Sequence, residues 1–536
     1  MVCPKEDKLL DYVEGILDED EKAILERHLH SCPYCQQQLE FLNKENELLA
    51  QTLKFPTLPE DFAEKIVDQL EPYKSKKKRR LPWILGTAAS ALIAGGILLS
   101  VNPGFAKLVG GIFTSDSVDE GLRMAADTDI ATPVNQSVTD AGITLEVEDL
   151  IADTTRIALS YRVTNDHGKT LNPFIDFGPE SIKLLDEENK EIEDISISWA
   201  LHDDDYGIFE LSLADIEHFA KGMIRLDVDH LAGKDGHWQI DIPVDLSSAY
   251  GHQKVVELNE SIEIEDVRIN FNQVKYATSS TEIDYTLEYT EDAKKRLQQQ
   301  LMAKEKQFGK EIIDPFFPYF PMIGFRIENS GGEVLGYENI YADENRGHPV
   351  SENVIGGRGF WDGNPRDLVS VNNIDSFVPK KNADDELFIV VDTLYRPTVS
   401  DFSITFKPEE LPKTFDYNGY ELTIDSIKEK TEISLEKSWL PVQRHKTVEI
   451  KMSGFAIQKA PELRLWAIVD KSGKVYAVNN TGNSVFDERD QHGRFKCAIE
   501  LSTEEMEEIP DELTLHLIAE REVIPLQTEW RVPLSK

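Results

Sequence analysis

Three of the four cysteines lie in the first 35 residues: Cys3, then Cys32 and Cys35 in Cys32-Pro33-Tyr34-Cys35, with His28 four residues before Cys32. Zn2+ takes four soft or borderline ligands in a tetrahedron, and a Cys-x-x-Cys pair clamps one edge of it. His28 reaches the same point from the preceding helical turn. Cys3 becomes the natural fourth ligand when the first helix packs back. His30 points elsewhere. The alternative is a redox dithiol, but the strand-flanked setting that usually frames one is missing.

Short helices must bring these ligands together. Leu9, Leu10, Val13, Ile16 and Leu17 fall at helical spacing, and Asp18-Glu19-Asp20-Glu21 opens a second helix. That helix turns Ile24, Leu25, His28 and Leu29 inward, and a third runs from about Gln36 through Leu39, Phe41, Leu42 and Leu49. Residues 1–50 are therefore expected to be a small all-α zinc-binding domain. Residues 51–80 follow as a linker, in which Thr57-Leu58-Pro59-Glu60 starts an amphipathic helix with Leu58, Phe62, Ile66, Val67 and Leu70 available to a partner. The same helix could equally fold back on the zinc module.

Residues 81–101 carry no charge. As a helix they span about 31 Å, close to the ~30 Å hydrocarbon thickness of a bilayer. Six of the seven residues 74–80 are basic, whereas the twenty after Pro103 hold only Lys107 and Arg123. The positive-inside rule then puts a single-pass chain in the cell membrane with its N-terminus cytoplasmic and its C-terminus extracellular. The alternative, a cleaved signal peptide, would need an 80-residue leader containing a folded module. Net charge is −41, of which −37 lies beyond the span. A body that acidic excludes nucleic acid as its partner, because phosphate contact needs an excess of Lys and Arg.

Cys3, the run His28-Leu29-His30-Ser31-Cys32-Pro33-Tyr34-Cys35 and the basic stretch before one span resemble a membrane-anchored zinc anti-sigma factor. The resemblance covers about the first 80 residues. It implies a head that wraps an extracytoplasmic-function sigma factor and hides its polymerase-binding surfaces. Release would follow regulated proteolysis by site-1 and site-2 type proteases. It also tips the helix near 57–71 toward sigma-factor binding, and it implies a body of unknown function after the span.

Beyond the span the chain reads as all-β. Alternating strands at 143–147 and 157–163 recur at 262–264 and 283–289, and again at 422–424, 433–435 and 448–452. Strand-ending turns recur near Asn189, Gly332 and Gly473. Three tandem β-sandwich-like domains are expected at 134–250, 254–408 (with insertions) and 413–536. Residues 291–307 are helical in character, and the aromatic run 314–321 either plugs a sandwich or offers a binding patch. Residues 102–133 read as an accessible juxtamembrane linker where a protease could cut. Cys497 alternates with Phe495, Ile499 and Leu501, as a buried structural thiol would. No Gly-x-Ser-x-Gly elbow, His-Glu-x-x-His helix or phosphate loop occurs, so no enzyme is expected. The competing functions are a surface-anchored cell-wall-binding or adhesion protein and, behind it, a surface hydrolase.

Overall fold

The computed structural model describes residues 112–535 apart from 176–180, 194, 203–205, 215, 217–218, 315–316, 340–350, 381–385, 435–442, 458–462, 479, 504–505 and 507, together with Lys22, Leu25 and His28. The chain divides into two compact units, Met1–Leu99 and Ser100–Lys536. The span expected at 81–101 lies outside the described residues. Among the described residues no helix is long and apolar enough to cross a membrane.

The second unit is mostly β-sheet, built on alternating strands whose odd and even residues face core and water. A single helical turn and α1 (Glu120–Ala126) precede β1 (Ala131–Asp140), β2 (Ile143–Ala152), β3 (Arg156–Asn165), β4 (Ile182–Asp186), β5 (Ser196–His202), β6 (Tyr206–Ser212), β7 (Lys221–Leu231) and β8 (Lys234–Asp245). These make a five-stranded sheet, β1-β2-β3-β6-β5, and a three-stranded sheet, β4-β7-β8. One core lies between them, with Leu145, Val147, Leu159 and Tyr161 from the first and Ile224, Leu226, Trp238 and Ile242 from the second. Gly207 stands opposite Tyr161, where a Cβ would come within 2.1 Å of the ring. The small helix α2 (Ser247–His252) ends this sandwich.

The next strands are β9 (Lys254–Ile264), β10 (Val267–Tyr276), β11 (Thr281–Tyr289), β12 (Met322–Asn329), β13 (Val334–Glu338), β14 (Ser351–Glu352), β15 (Val354–Phe360), β16 (Val371–Phe377) and β17 (Leu387–Val399). After them come β18 (Ser403–Phe406), β19 (Lys413–Tyr417), β20 (Tyr420–Ser434), β21 (Gln443–Ala456), β22 (Leu463–Asp470), β23 (Val475–Ala477), β24 (Asn480–Arg489), β25 (Phe495–Thr503) and β26 (Leu513–Pro533). The five-stranded order recurs twice, as β9-β10-β11-β16-β15 and β19-β20-β21-β25-β24. The strand pairs expected from the sequence fall in this thrice-used meander but not on equivalent strands: 143–147 and 157–163 are β2 and β3, 262–264 and 283–289 lie in β9 and β11, and 422–424 shares the single strand β20 with 433–434.

The facing sheets do not repeat so simply. They are fused into one eight-stranded sheet, β14-β13-β12-β17-β26-β22-β23, with β18 also on β26. In the first sandwich β7 and β8 form a hairpin. In the others the place beside β17 is taken by the second half of β26, from Thr398↔Glu520 to Phe388↔Pro533, and β18 takes the place beside the first half, from Ser403↔His516 to Phe406↔Leu513. The second and third sandwiches therefore exchange their last strands. The division expected between 408 and 413 follows the chain but not the packing. On β22, Leu465 and Ala467 join the second core while Trp466 and Ile468 join the third. Ending the chain after Ala519 should accordingly unfold the second sandwich, 120 or more residues upstream of the cut, and spare the first, which holds its own β8. Limited proteolysis with mass spectrometry would show new cuts between 254 and 399.

Helix α3 (Glu291–Phe308) sits where helical character was expected. Thr290 caps it by accepting from Ala293 N, and Leu297, Leu301 and Phe308 enter the second core. Short helix α4 (Lys310–Ile313) leads into the aromatic run, of which Phe317 and Tyr319 are buried in the same core. Cys497 is buried in the third core, and burial pushes its thiol up to about 11. Five hairpins close with one device: Asn165, Asp186, Asn329, Asp470 and Asp490 each accept the backbone N–H groups two and four residues ahead. The residue three ahead (Gly168, Asn189, Gly332, Gly473 and Gly493) has φ between 61° and 87°, which favours Gly or Asn.

Candidate functional site

Of the expected zinc ligands only His28 is described. It is helical and half-buried, one turn after buried Leu25 and two after exposed Lys22. That is the inward face assigned to the second helix. Cys3, Cys32 and Cys35 lie outside the described residues, as do Leu58, Phe62, Ile66, Val67 and Leu70.

The stretch expected at 102–133 as an accessible linker departs from that expectation. From residue 112 it is packed rather than accessible: Phe113, Leu122 and Ala125 are buried to 1% exposure or less, and Ile112, Val118, Ala126 and Ile130 join them in the first core. The apolar positions are too irregularly spaced to read as a strand: Ile112 and Phe113 lie in the preceding helical turn, Leu122, Ala125 and Ala126 on α1, and Val118 and Ile130 in the flanking chain.

One buried arginine holds this segment to two sandwiches. Asp119 caps α1 by accepting from Leu122 N at 3.1 Å, and its carboxylate also takes a two-pronged contact from the Arg156 guanidinium at 2.8 and 2.9 Å. Arg156 donates further to Glu210 at 2.9 Å and to the Ser279 carbonyl at 2.9 Å. Ser279 lies in the turn between β10 and β11. The same turn is gripped from the β2–β3 turn, where Asp153 accepts from Ser279 N at 2.6 Å and Ser280 Oγ donates to Thr155 Oγ1 at 2.7 Å. Gly121, in the first turn of α1, permits the approach: a Cβ there would lie 2.0 Å from the Ser279 oxygen. Burial opposes charge on Arg156, but Asp119 and Glu210 outweigh it and raise its pKa. Sequence reasoning missed this node, because Asp153-Thr154-Thr155-Arg156 has the composition of a solvated turn.

A second ionisable group is buried in the middle sandwich. Asp375 accepts from Tyr285 Oη at 2.8 Å, and burial pushes its carboxyl up to about 7. Burial likewise brings Asp149, in the first sandwich, to about 6. In both cases the folded state holds a proton that the unfolded chain, near pH 4, has released. Their contribution to stability is complete below about pH 4 and is lost as pH rises through 6 to 7. The full chain should melt at lower temperature at pH 8 than at pH 5. Asp375→Asn should flatten that dependence, as read by calorimetry across the range.

Residues 6–36 match the family described as "Putative zinc-finger", a stretch that includes His28, Cys32 and Cys35 and stops short of Cys3. Residues 76–165 match "Domain of unknown function (DUF4179)". That match runs from the basic stretch to the end of β3 and takes in Asp119, Asp153 and Arg156. No curated protein matches. Among solved structures, a conserved domain protein from Bacillus anthracis is similar over 53% of this chain and 83% of its own, at 14% identity and a TM-score of 0.34. A marsupial T cell receptor aligns over 72% of this chain and 96% of its own, at 6% identity and a TM-score of 0.11. Neither likeness bears on function.

Proposed function

We propose that this chain is a transmembrane anti-sigma factor that sequesters an extracytoplasmic-function sigma factor through its cytoplasmic head and releases it on an envelope signal. The observation that carries the reading is positional. A zinc-finger match containing His28, Cys32 and Cys35 is followed by six basic residues in seven and then 21 without charge.

Cys3, His28, Cys32 and Cys35 would hold the zinc. Three thiolates and one imidazole are a donor set of structural tetrahedral sites, and the half-buried His28 beside buried Leu25 suits an inward ligand. Bound zinc supplies the folding energy that a head of about 50 residues lacks by itself. The helix bearing Leu58, Phe62, Ile66, Val67 and Leu70 would dock in a groove of the sigma factor. The body would sense the envelope, and cutting outside the membrane would start release. Packing of 112–126 means that such a cut must either fall before residue 112 or wait for Arg156 to let go.

Purifying the full chain from membranes and identifying its cytoplasmic companions by mass spectrometry tests the reading. An extracytoplasmic-function sigma factor should be recovered, and deleting the chain should raise transcription from that factor's promoters. Recovery of no such factor, with promoters unchanged, would refute it.

A further inference from the structure

Beside the Arg156 node the five-stranded sheets of the first and second sandwiches meet end to end. A cleft of about 290 Å³ lies between their outward faces, near the lower end of the range for small-ligand sites. Register defines its walls. On one side Arg156, Ser212 and Ser196 stand in a row across β3, β6 and β5, with Ala158, Glu210 and Ser198 in the next. On the other side Glu282, Ser376 and Gly356 form a row across β11, β16 and β15, followed by Asp284, Ile374 and Arg358. The cleft is open because so many of these residues are small.

The chemistry of the lining selects a ligand class. Three of the charges in the walls are matched within the protein: Arg156 is held by Asp119 and Glu210, and Glu282 lies 3.2 Å from Lys275. An anion would therefore meet Glu210 and Glu282, and a cation would meet Arg156 and Arg358. What remains is hydroxyl chemistry. Ser196, Ser198 and Ser376 line the cleft, and Ile197 and Ile374 add apolar surface to it. An uncharged ligand with many hydroxyls and apolar C–H faces meets both kinds of surface.

We propose that this cleft is a saccharide-binding site of the body, taking one or two pyranose rings. Because Arg156, which Glu210 shares, also holds Asp119, an occupant sits against the contact that packs 112–126; that regulatory consequence rests on the anti-sigma reading, whereas binding does not.

The test uses the full chain in lipid nanodiscs, free of glycoside detergents, without any sigma factor. It is titrated with glucose, N-acetylglucosamine, cellobiose and N,N′-diacetylchitobiose, with inorganic phosphate as the ionic control, by calorimetry and saturation-transfer NMR. At least one saccharide should bind saturably. Gly356→Leu and Ser198→Leu should weaken it at least tenfold while the thermal transition is unchanged, since a Cβ at Gly356 meets nothing within 4 Å and Ser198 is exposed. Binding of phosphate but of no saccharide would overturn the proposal, as would no saturable signal or equal binding by both variants.

Discussion

Cells in which the chain carries Cys32→Ala or Cys35→Ala should transcribe the partner's promoters constitutively, at the level of cells lacking the chain. The magnitude follows from the size of the head. A module of about 50 residues gains at most a few kcal/mol from its own core, whereas a structural zinc site contributes about 10–16 kcal/mol at neutral pH. Losing one thiolate removes most of that, so the head should unfold outright rather than bind less tightly. The controls sharpen the result. Cys497→Ala removes a small apolar group from the third core and should leave repression intact. Cys3→Ala asks whether a ligand outside the zinc-finger match is needed, and His28→Ala should behave like the two cysteine variants. A promoter-fusion reporter, with zinc content measured on the purified chain, reads all of these. Full repression by both Cys32→Ala and Cys35→Ala would defeat the zinc-latch account.

Arg156→Ala is expected to free the segment between residues 112 and 130. Removing the guanidinium leaves the Asp119 and Glu210 carboxylates without their shared cation, and it strips a donor from the Ser279 carbonyl. Truncating one partner of a buried pair costs about 3–5 kcal/mol. Both carboxylates keep 27% side-chain exposure, so water recovers part of this and about 2–4 kcal/mol is the expected loss. That raises the opened population on the order of 30-fold or more, and proteolysis follows the opened population when closing is fast. Gly121→Ala should act in the same direction by a different route, because its methyl group cannot share space with the Ser279 oxygen. Added protease and mass spectrometry of the fragments provide the measurement. New cuts between 112 and 130 in both variants are the expected outcome. Cuts confined to the β-strands, or wild-type resistance in both, would show that Arg156 is not what keeps this segment closed.

Much of this protein could be read from short stretches of its sequence. The repeated alternation at 143–163, 262–289 and 422–452 became β2–β3, the β9–β11 meander and β20–β21, because a two-residue period is set by the pleat alone. The turns at Asn189, Gly332 and Gly473 were legible for the same reason: a left-handed residue after an Asx turn is a local requirement. Helix α3, with its Thr290 cap and acidic first turn, announced itself within one stretch of 18 residues. The ligand spacing His28-x3-Cys32-x2-Cys35 and the charge step around 74–101 are likewise local patterns.

Tertiary structure decided what depends on distant partners. Arg156 meets Asp119 37 residues away, Glu210 54 away and Ser279 123 away, and a polar turn gives no hint that it will be buried. The exchange of β18 and β26 is equally invisible, since a strand's alternation says which face is buried but not which sheet it joins. So the sequence by itself determined most of the elements of the β-rich unit and their order along the chain. Only packing decided that the segment from residue 112 to 130 is locked into the first sandwich and that the last two sandwiches share one sheet. Local geometry is encoded residue by residue, whereas burial of a charge or an edge is a property of the surfaces brought against it.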